Sequence, residues 1–128
     1  MTKDQVIHAF WSSFGLKAYD ENTVSTGTSA GEQPAMPYIT YNLTLDGTME
    51  RTVMTASLWY RSTSWLEIDA KAEEISEYLT PPRTPFVCDN GRIWIKKGRN
   101  FAQRMKDPDD NMVRRIVLRI EVEYLTTY

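Results

Sequence analysis

From Met112 to Tyr124, thirteen consecutive residues alternate in character. Met112, Ile116, Leu118, Ile120, Val122 and Tyr124 fall on the even positions, with Arg114 the one polar exception. Val113, Arg115, Val117, Arg119, Glu121 and Glu123 fall on the odd ones. A period of two over that length is a strand with one core face and one charged face, about 40 Å long. A strand this long has to pair with other strands of the chain, as part of a sheet.

Ile39, Tyr41, Leu43 and Leu45 alternate with Thr40, Asn42 and Thr44. After Asp46-Gly47 the chain continues with Met54, Ala56, Leu58 and Tyr60 against Val53, Thr55, Ser57, Trp59 and Arg61. Asp-Gly suits a two-residue type I′ turn, which sets Leu45 opposite Thr48 and Ile39 opposite Met54 and puts both apolar sets on one face. In that register Pro37 limits the first strand and leaves Ala56 to Arg61 unpaired; the long last strand is the natural partner there.

Two helices follow from capping and period. Thr2 with Gln5 forms a capping box ahead of the stripe Ile7, Phe10, Trp11 and Phe14, and Gly15 suits the left-handed end. Ser64 with Glu67 reads as a second capping box, ahead of Trp65, Ile68, Ala72, Ile75 and Leu79. Glu67, Asp69, Glu73, Glu74 and Glu77 cover the rest, and Pro81-Pro82 stops the helix. A second hairpin about Asn90-Gly91 sets Cys88 opposite Ile93, Phe86 opposite Ile95, Val87 opposite Trp94 and Asp89 opposite Arg92, with both faces partly apolar. Lys97 to Lys106 reads as a short helix or ordered loop, and Asp107 to Asn111 as a turn. Tyr19 to Pro37 has no period. The expected architecture is α+β: one domain over residues 1–128, a mainly antiparallel sheet of about four to five strands with two helices packed on one face, and a flexible loop over about 20–37.

Composition narrows the chemistry. One cysteine cannot form an internal disulfide, and no apolar run approaches membrane-spanning length. Met-Thr-Lys-Asp at the start is unlike a signal peptide. His8, the single histidine, has no acidic or cysteine partner at ligand spacing; Cys88 lies on a core face and reads as packing. Gly27 to Gly31 lacks the strand and the Lys-Ser/Thr pair of a phosphate loop. No pattern indicates a catalytic residue, a metal or a cofactor, so the chain is not expected to be an enzyme. Charge is unevenly divided: residues 1–91 sum to −6 and residues 92–128 to +4. Such a split suits head-to-tail contact between copies or a basic surface toward an acidic partner. Arg92, Lys96, Lys97, Arg99, Arg104 and Lys106, with Trp94 and Phe101, interleave base and aromatic, but a pI near 5.4 argues against dedicated DNA binding.

Pro37-Tyr38-Ile39 opening one strand, Leu58-Trp59-Tyr60 closing a longer one, and the acidic helix Asp69 to Leu79 resemble the tail terminator (tail-completion) proteins of long-tailed bacteriophages. A late hairpin and a long C-terminal strand are also similar. The resemblance implies a structural virion protein without catalytic residues. It would be a homo-oligomeric ring, commonly a hexamer, assembled in the bacterial host cytoplasm and located in the virion at the neck. There it would cap the tail tube protein and face the head–tail connector protein, with DNA only as the passing genome and no membrane partner. Trp59, Val87 and Trp94 are then candidates for apolar contact with a neighbour or the tube, and Glu73, Glu74 and Glu77 for charged contact. Arg92 to Lys106 would line the lumen or rim, or pair with those three glutamates of the adjacent subunit. Another small neck or head-completion protein, or an unrelated small α+β ligand-binding domain or enzyme, are the alternative readings.

Overall fold

The structure, a computed structural model, describes residues 1–22, 35–44, 51–81, 84–89 and 91–126. Its elements in chain order are α1 (Lys3–Ser12), β1 (Lys17–Asp20), β2 (Tyr38–Tyr41), β3 (Arg51–Arg61), α2 (Leu66–Leu79), β4 (Phe86–Cys88), β5 (Gly91–Lys106) and β6 (Val113–Thr126). The strands form one six-stranded sheet in the order β1-β2-β3-β6-β5-β4. Neighbours run antiparallel except β1 and β2, which are parallel.

β6 is the strand the alternation predicts. Its even residues Leu118, Ile120, Val122 and Tyr124 are fully buried, while Arg115, Val117, Arg119, Glu121 and Glu123 point to the other face and stay partly exposed. β3 pairs along one edge of β6 and β5 along the other, which satisfies the backbone of a strand that would otherwise carry a row of orphaned groups. Met54, Ala56, Leu58 and Tyr60 of β3 and Ile93 and Ile95 of β5 share the buried face. Both helices press their apolar stripes into this one core. The capping box at Thr2 and Gln5 is formed, and Gly15 takes a φ of +82° just beyond α1. Phe10 and Phe14 of α1 meet Tyr78 of α2 at ring-centroid distances of 6.3 and 5.5 Å.

α1 packs against both β1 and β4, the two outermost strands. A ten-residue helix is about 15 Å long, whereas six flat strands are about 24 Å across. The sheet is therefore curled around its core, with α1 bridging the open side and α2 lying over β3, β6 and β5. The start of α1 is fixed to the β4 end: Asp89 N–H donates to the Met1 carbonyl, and the terminal ammonium pairs with the Asp89 carboxylate at 2.7 Å.

Five expectations are corrected. The sheet has six strands, because Lys17–Asp20, expected to run into an aperiodic loop, adds a parallel edge strand whose only buried residue is Ala18. A four-residue strand is too short to show a period; pairing to β2 creates it. β2 meets β3 with Ile39 opposite Leu58, four residues from the register an Asp46-Gly47 turn would set, so β2 covers the end of β3 expected to be unpaired. Parity survives an even shift, so the same side chains are buried; the turn lies outside the described residues. The second hairpin is likewise shifted by two, with Phe86 opposite Ile93 and Val87 opposite Arg92. Ser64 does not form a capping box: Trp65 is the N-cap, and the Ser64 hydroxyl accepts from the Leu66 N–H at 3.0 Å. Finally, Lys97 to Lys106 is neither helix nor loop. It continues β5 along β6, with an irregularity between Lys97 and Ala102 where Asn100 adopts a φ of 52°.

Gly98 lies at the start of that irregularity. A Cβ there would come within 2.8 Å of the Arg119 carbonyl oxygen, a backbone atom unable to swing aside. Gly98→Ala should cost about 1–3 kcal/mol of stability, measured by urea unfolding. Tyr124 generates a second expectation. Burial, with a smaller contribution from Cys88, pushes its phenol up to about 12 from 10.0, and its hydroxyl donates to the Thr44 carbonyl. Its stabilising contribution is intact below the unfolded value of 10.0 and is lost as pH rises through the folded value. Tyr124→Phe should therefore flatten part of the alkaline fall in thermal midpoint between about pH 10 and 12.

Candidate functional site

The helices occupy one face of the sheet, and the opposite face carries the exposed chemistry. Strand alternation puts Tyr19 of β1, Tyr38 of β2, Trp59 of β3 and Arg115 of β6 there, on four neighbouring strands. Tyr38 is paired directly with Trp59, and their rings lie 6.3 Å apart at 25°. Tyr19 meets Tyr38 edge-on at 5.9 Å, and the Arg115 guanidinium lies 4.7 Å over the Trp59 ring. Hydrogen bonds hold this row: Trp59 Nε1–H donates to Thr40 Oγ1 at 2.9 Å and Arg115 Nε–H to Ser57 Oγ at 3.2 Å. Burial, then the neighbouring Tyr19, raises the Tyr38 pKa, so its hydroxyl remains a neutral donor near pH 7.

A second zone lies at the other end of the same face. Lys96 sits 3.8 Å over the Trp94 ring and 3.3 Å from Glu123, which also receives Arg51 at 3.2 Å. Arg51 reaches Glu121 at 3.8 Å as well. Desolvation pushes the Glu123 carboxyl up, but the hydrogen bonds and charges of Lys96 and Arg51 outweigh it and hold it below the ordinary range. This zone is internally neutralised.

The apolar candidates Trp59, Val87 and Trp94 do share the helix-free face, but not one patch. Trp94 is level with Glu123 and Trp59 with Arg115, eight residues along β6, or about 26 Å. Val87, 66% exposed, is paired with Arg92 at the Trp94 end and also lines a groove beside α1 with Met1 and Phe10. The basic segment is also divided. Lys96 is engaged as above; Lys97 donates to Ser76 of α2 and to Thr80 just beyond its end; Arg104 pairs with Asp69 and stacks 4.8 Å over Trp65. Arg92, Arg99 and Lys106 are exposed and make no ion pair with the described residues. Of the three candidate glutamates, Glu74 pairs with Lys71 at 3.1 Å, while Glu73 and Glu77 make no such pair among the described residues.

Two grooves and the lone thiol complete the chemistry. Between α1 and the β1–β2 edge, a groove of about 480 Å³ includes Asp4, His8, Asp20 and Tyr41. His8 Nδ1 lies 3.0 Å from the Tyr41 hydroxyl, whose pKa is raised by burial, then by Asp20 and Asp4. His8 thus has a phenol partner 33 residues away, which spacing along the chain could not reveal. Between α2 and β5 a groove of about 460 Å³ is floored by Ala72, Phe101 and Ile116. Cys88 is a buried free thiol. Among the described residues no three His, Cys, Asp or Glu side chains are placed to hold a metal ion, and no helix is long and apolar enough to cross a membrane.

The chain matches no family model, no curated protein and no solved structure.

Sequence reasoning passed over Tyr19, Arg115 and Arg119. The alternation of β6 placed both arginines on the outer face, but only the register against β3 brings Arg115 onto Trp59. For the neutralised zone, Glu123 contributes stability above its ordinary value of 4.5 that is lost as pH falls through the depressed one. Glu123→Gln should therefore flatten the acid limb of a thermal-midpoint-versus-pH profile, and added salt should shrink the difference between the two proteins.

Proposed function

We propose that this chain is a structural subunit of a long-tailed bacteriophage: a tail terminator that assembles as a ring on the last ring of the tail tube. The observation that carries this reading is the register of the two motifs on which the resemblance rests. Pro37-Tyr38-Ile39 and Leu58-Trp59-Tyr60 lie side by side in β2 and β3, with Tyr38 opposite Trp59 and Ile39 opposite Leu58. One residue pair enters the core and the other stacks on the helix-free face. Each short motif thus does the same two jobs, and the acidic helix follows directly, as Leu66–Leu79.

The physical work assigned to such a protein is edge capping. A growing tube exposes a repeating, unpaired surface that templates its next layer, and a ring that fits it on one side removes that template. Complementary surface does this without bond-making chemistry. The ring's other side would then present the joining surface to the head connector. Arg92, Arg99 and Lys106 are the basic candidates left for lumen or rim, since Lys96, Lys97 and Arg104 are engaged within the chain. A few exposed positives beside the genome's path would attract phosphate weakly at physiological salt and let hydrated DNA slide.

Purified protein incubated with polymerised tail tube protein should co-sediment with the tubes and appear by electron microscopy at one tube end only, and added during polymerisation it should shorten the tubes. Tubes that stay bare and of unchanged length would overturn the reading.

A further inference from the structure

We infer that this chain self-associates face to back, with the solvent stripe of α2 on one copy docking against the Trp59–Arg115–Arg119 zone of the next. This rests on the placement of charge and apolar surface, not on the tail-capping reading.

One side of the contact is α2. Its core stripe is Ile68, Ala72, Ile75 and Leu79. Directly opposite, at helical spacing, run Leu66, Ala70, Glu73 and Glu77, about 16 Å from end to end. Leu66 is 76% exposed, the highest exposure among the large hydrophobic side chains described. Beside Glu73 opens the groove floored by Ala72, Phe101 and Ile116, so the stripe offers apolar surface next to its charges. Glu73 and Glu77 make no ion pair among the described residues.

The other side is the aromatic row on the helix-free face. Tyr, Trp and Arg are the residues most enriched at energetically dominant contact points between proteins, and Tyr38, Trp59 and Arg115 are stacked there, prearranged by the strands. Arg119 follows four residues after Arg115 on the same face, about 13 Å away. It donates to the Asn100 carbonyl and to Gln103, both neutral. Neither arginine meets a carboxylate among the described residues, whereas the acids of this face, Glu121 and Glu123, are taken by Arg51 and Lys96. The zone is therefore cationic where it is aromatic. Its length is comparable to that of the α2 stripe, and its charge is opposite.

The two surfaces lie on opposite sides of the sheet. A contact between them is heterologous: each copy uses one face and leaves the other open, so assembly proceeds past the dimer to a closed ring or a filament.

Analytical ultracentrifugation of the whole chain tests this. Wild type at low salt should self-associate beyond the dimer, and the association should weaken as salt rises. Glu73→Arg/Glu77→Arg in one protein and Arg115→Glu/Arg119→Glu in another should each weaken self-association by about tenfold or more, with circular dichroism showing that each is folded. Mixing the two double variants should restore assembly, since every contact then joins opposite charges, and so should all four substitutions in one chain. A wild type that stays monomeric at high concentration overturns the inference, and so does unchanged association in either double variant. It is equally overturned if the arginine variant keeps its self-association and instead loses binding to single-stranded DNA, which would assign the aromatic row to nucleic acid.

Discussion

The fold depends on how β6 is satisfied. It is a strand of fourteen residues whose alternate side chains are fully buried, and no two-stranded hairpin could shelter it. β3 and β5 flank it along nearly its whole length, so the antiparallel trio β3-β6-β5 is the frame to which every other element is attached. Burying a side chain such as Leu118 or Ile120 contributes about 1.5–3 kcal/mol, and these residues belong to the one core that both helices join. α2 covers the trio from above. β2 and β1 extend it on one side and β4 on the other.

Twist then decides the shape. A right-twisted sheet of six strands curls, and the curl brings its two edges close enough for one short helix to touch both. On the β4 side Phe10 packs edge-on against Phe86 at 6.1 Å. Phe10, Trp11 and Phe14 are all buried in the shared core. The helix contact also explains why β4 and β1 can be only three and four residues long, since each is held by a strand on one side and a helix below.

The helix-free face follows from the same frame. An antiparallel sheet tolerates water on one side, and here that side is divided along β6 into a neutralised half and a cationic, aromatic half. The division is a consequence of register. Glu121 and Glu123 fall beside Arg51 and Lys96, while Arg115 and Arg119 fall beside Ser57, Asn100 and Gln103. With α2 acidic on the opposite layer, the two sides of the molecule differ in charge.

What the sequence by itself determined was most of what local physics decides, the capping box expected at Ser64 being the exception. Side-chain parity in β3, β5 and β6, the stripes of both helices, the capping box at Thr2 and the left-handed glycine after α1 all depend on neighbours within a few residues. What only the tertiary structure decided was pairing at a distance. Ile39 faces Leu58 rather than Met54, and because an even shift leaves burial unchanged, no hydrophobic pattern distinguishes the two registers. Lys17–Asp20 is a strand because β2 lies beside it, and Lys97–Lys106 is a strand because β6 does. The candidate surface divides in the same way. Trp59 and its outward direction were legible, but its companions Tyr19, Tyr38 and Arg115 come from three other strands, and only the order and register of the sheet place them together.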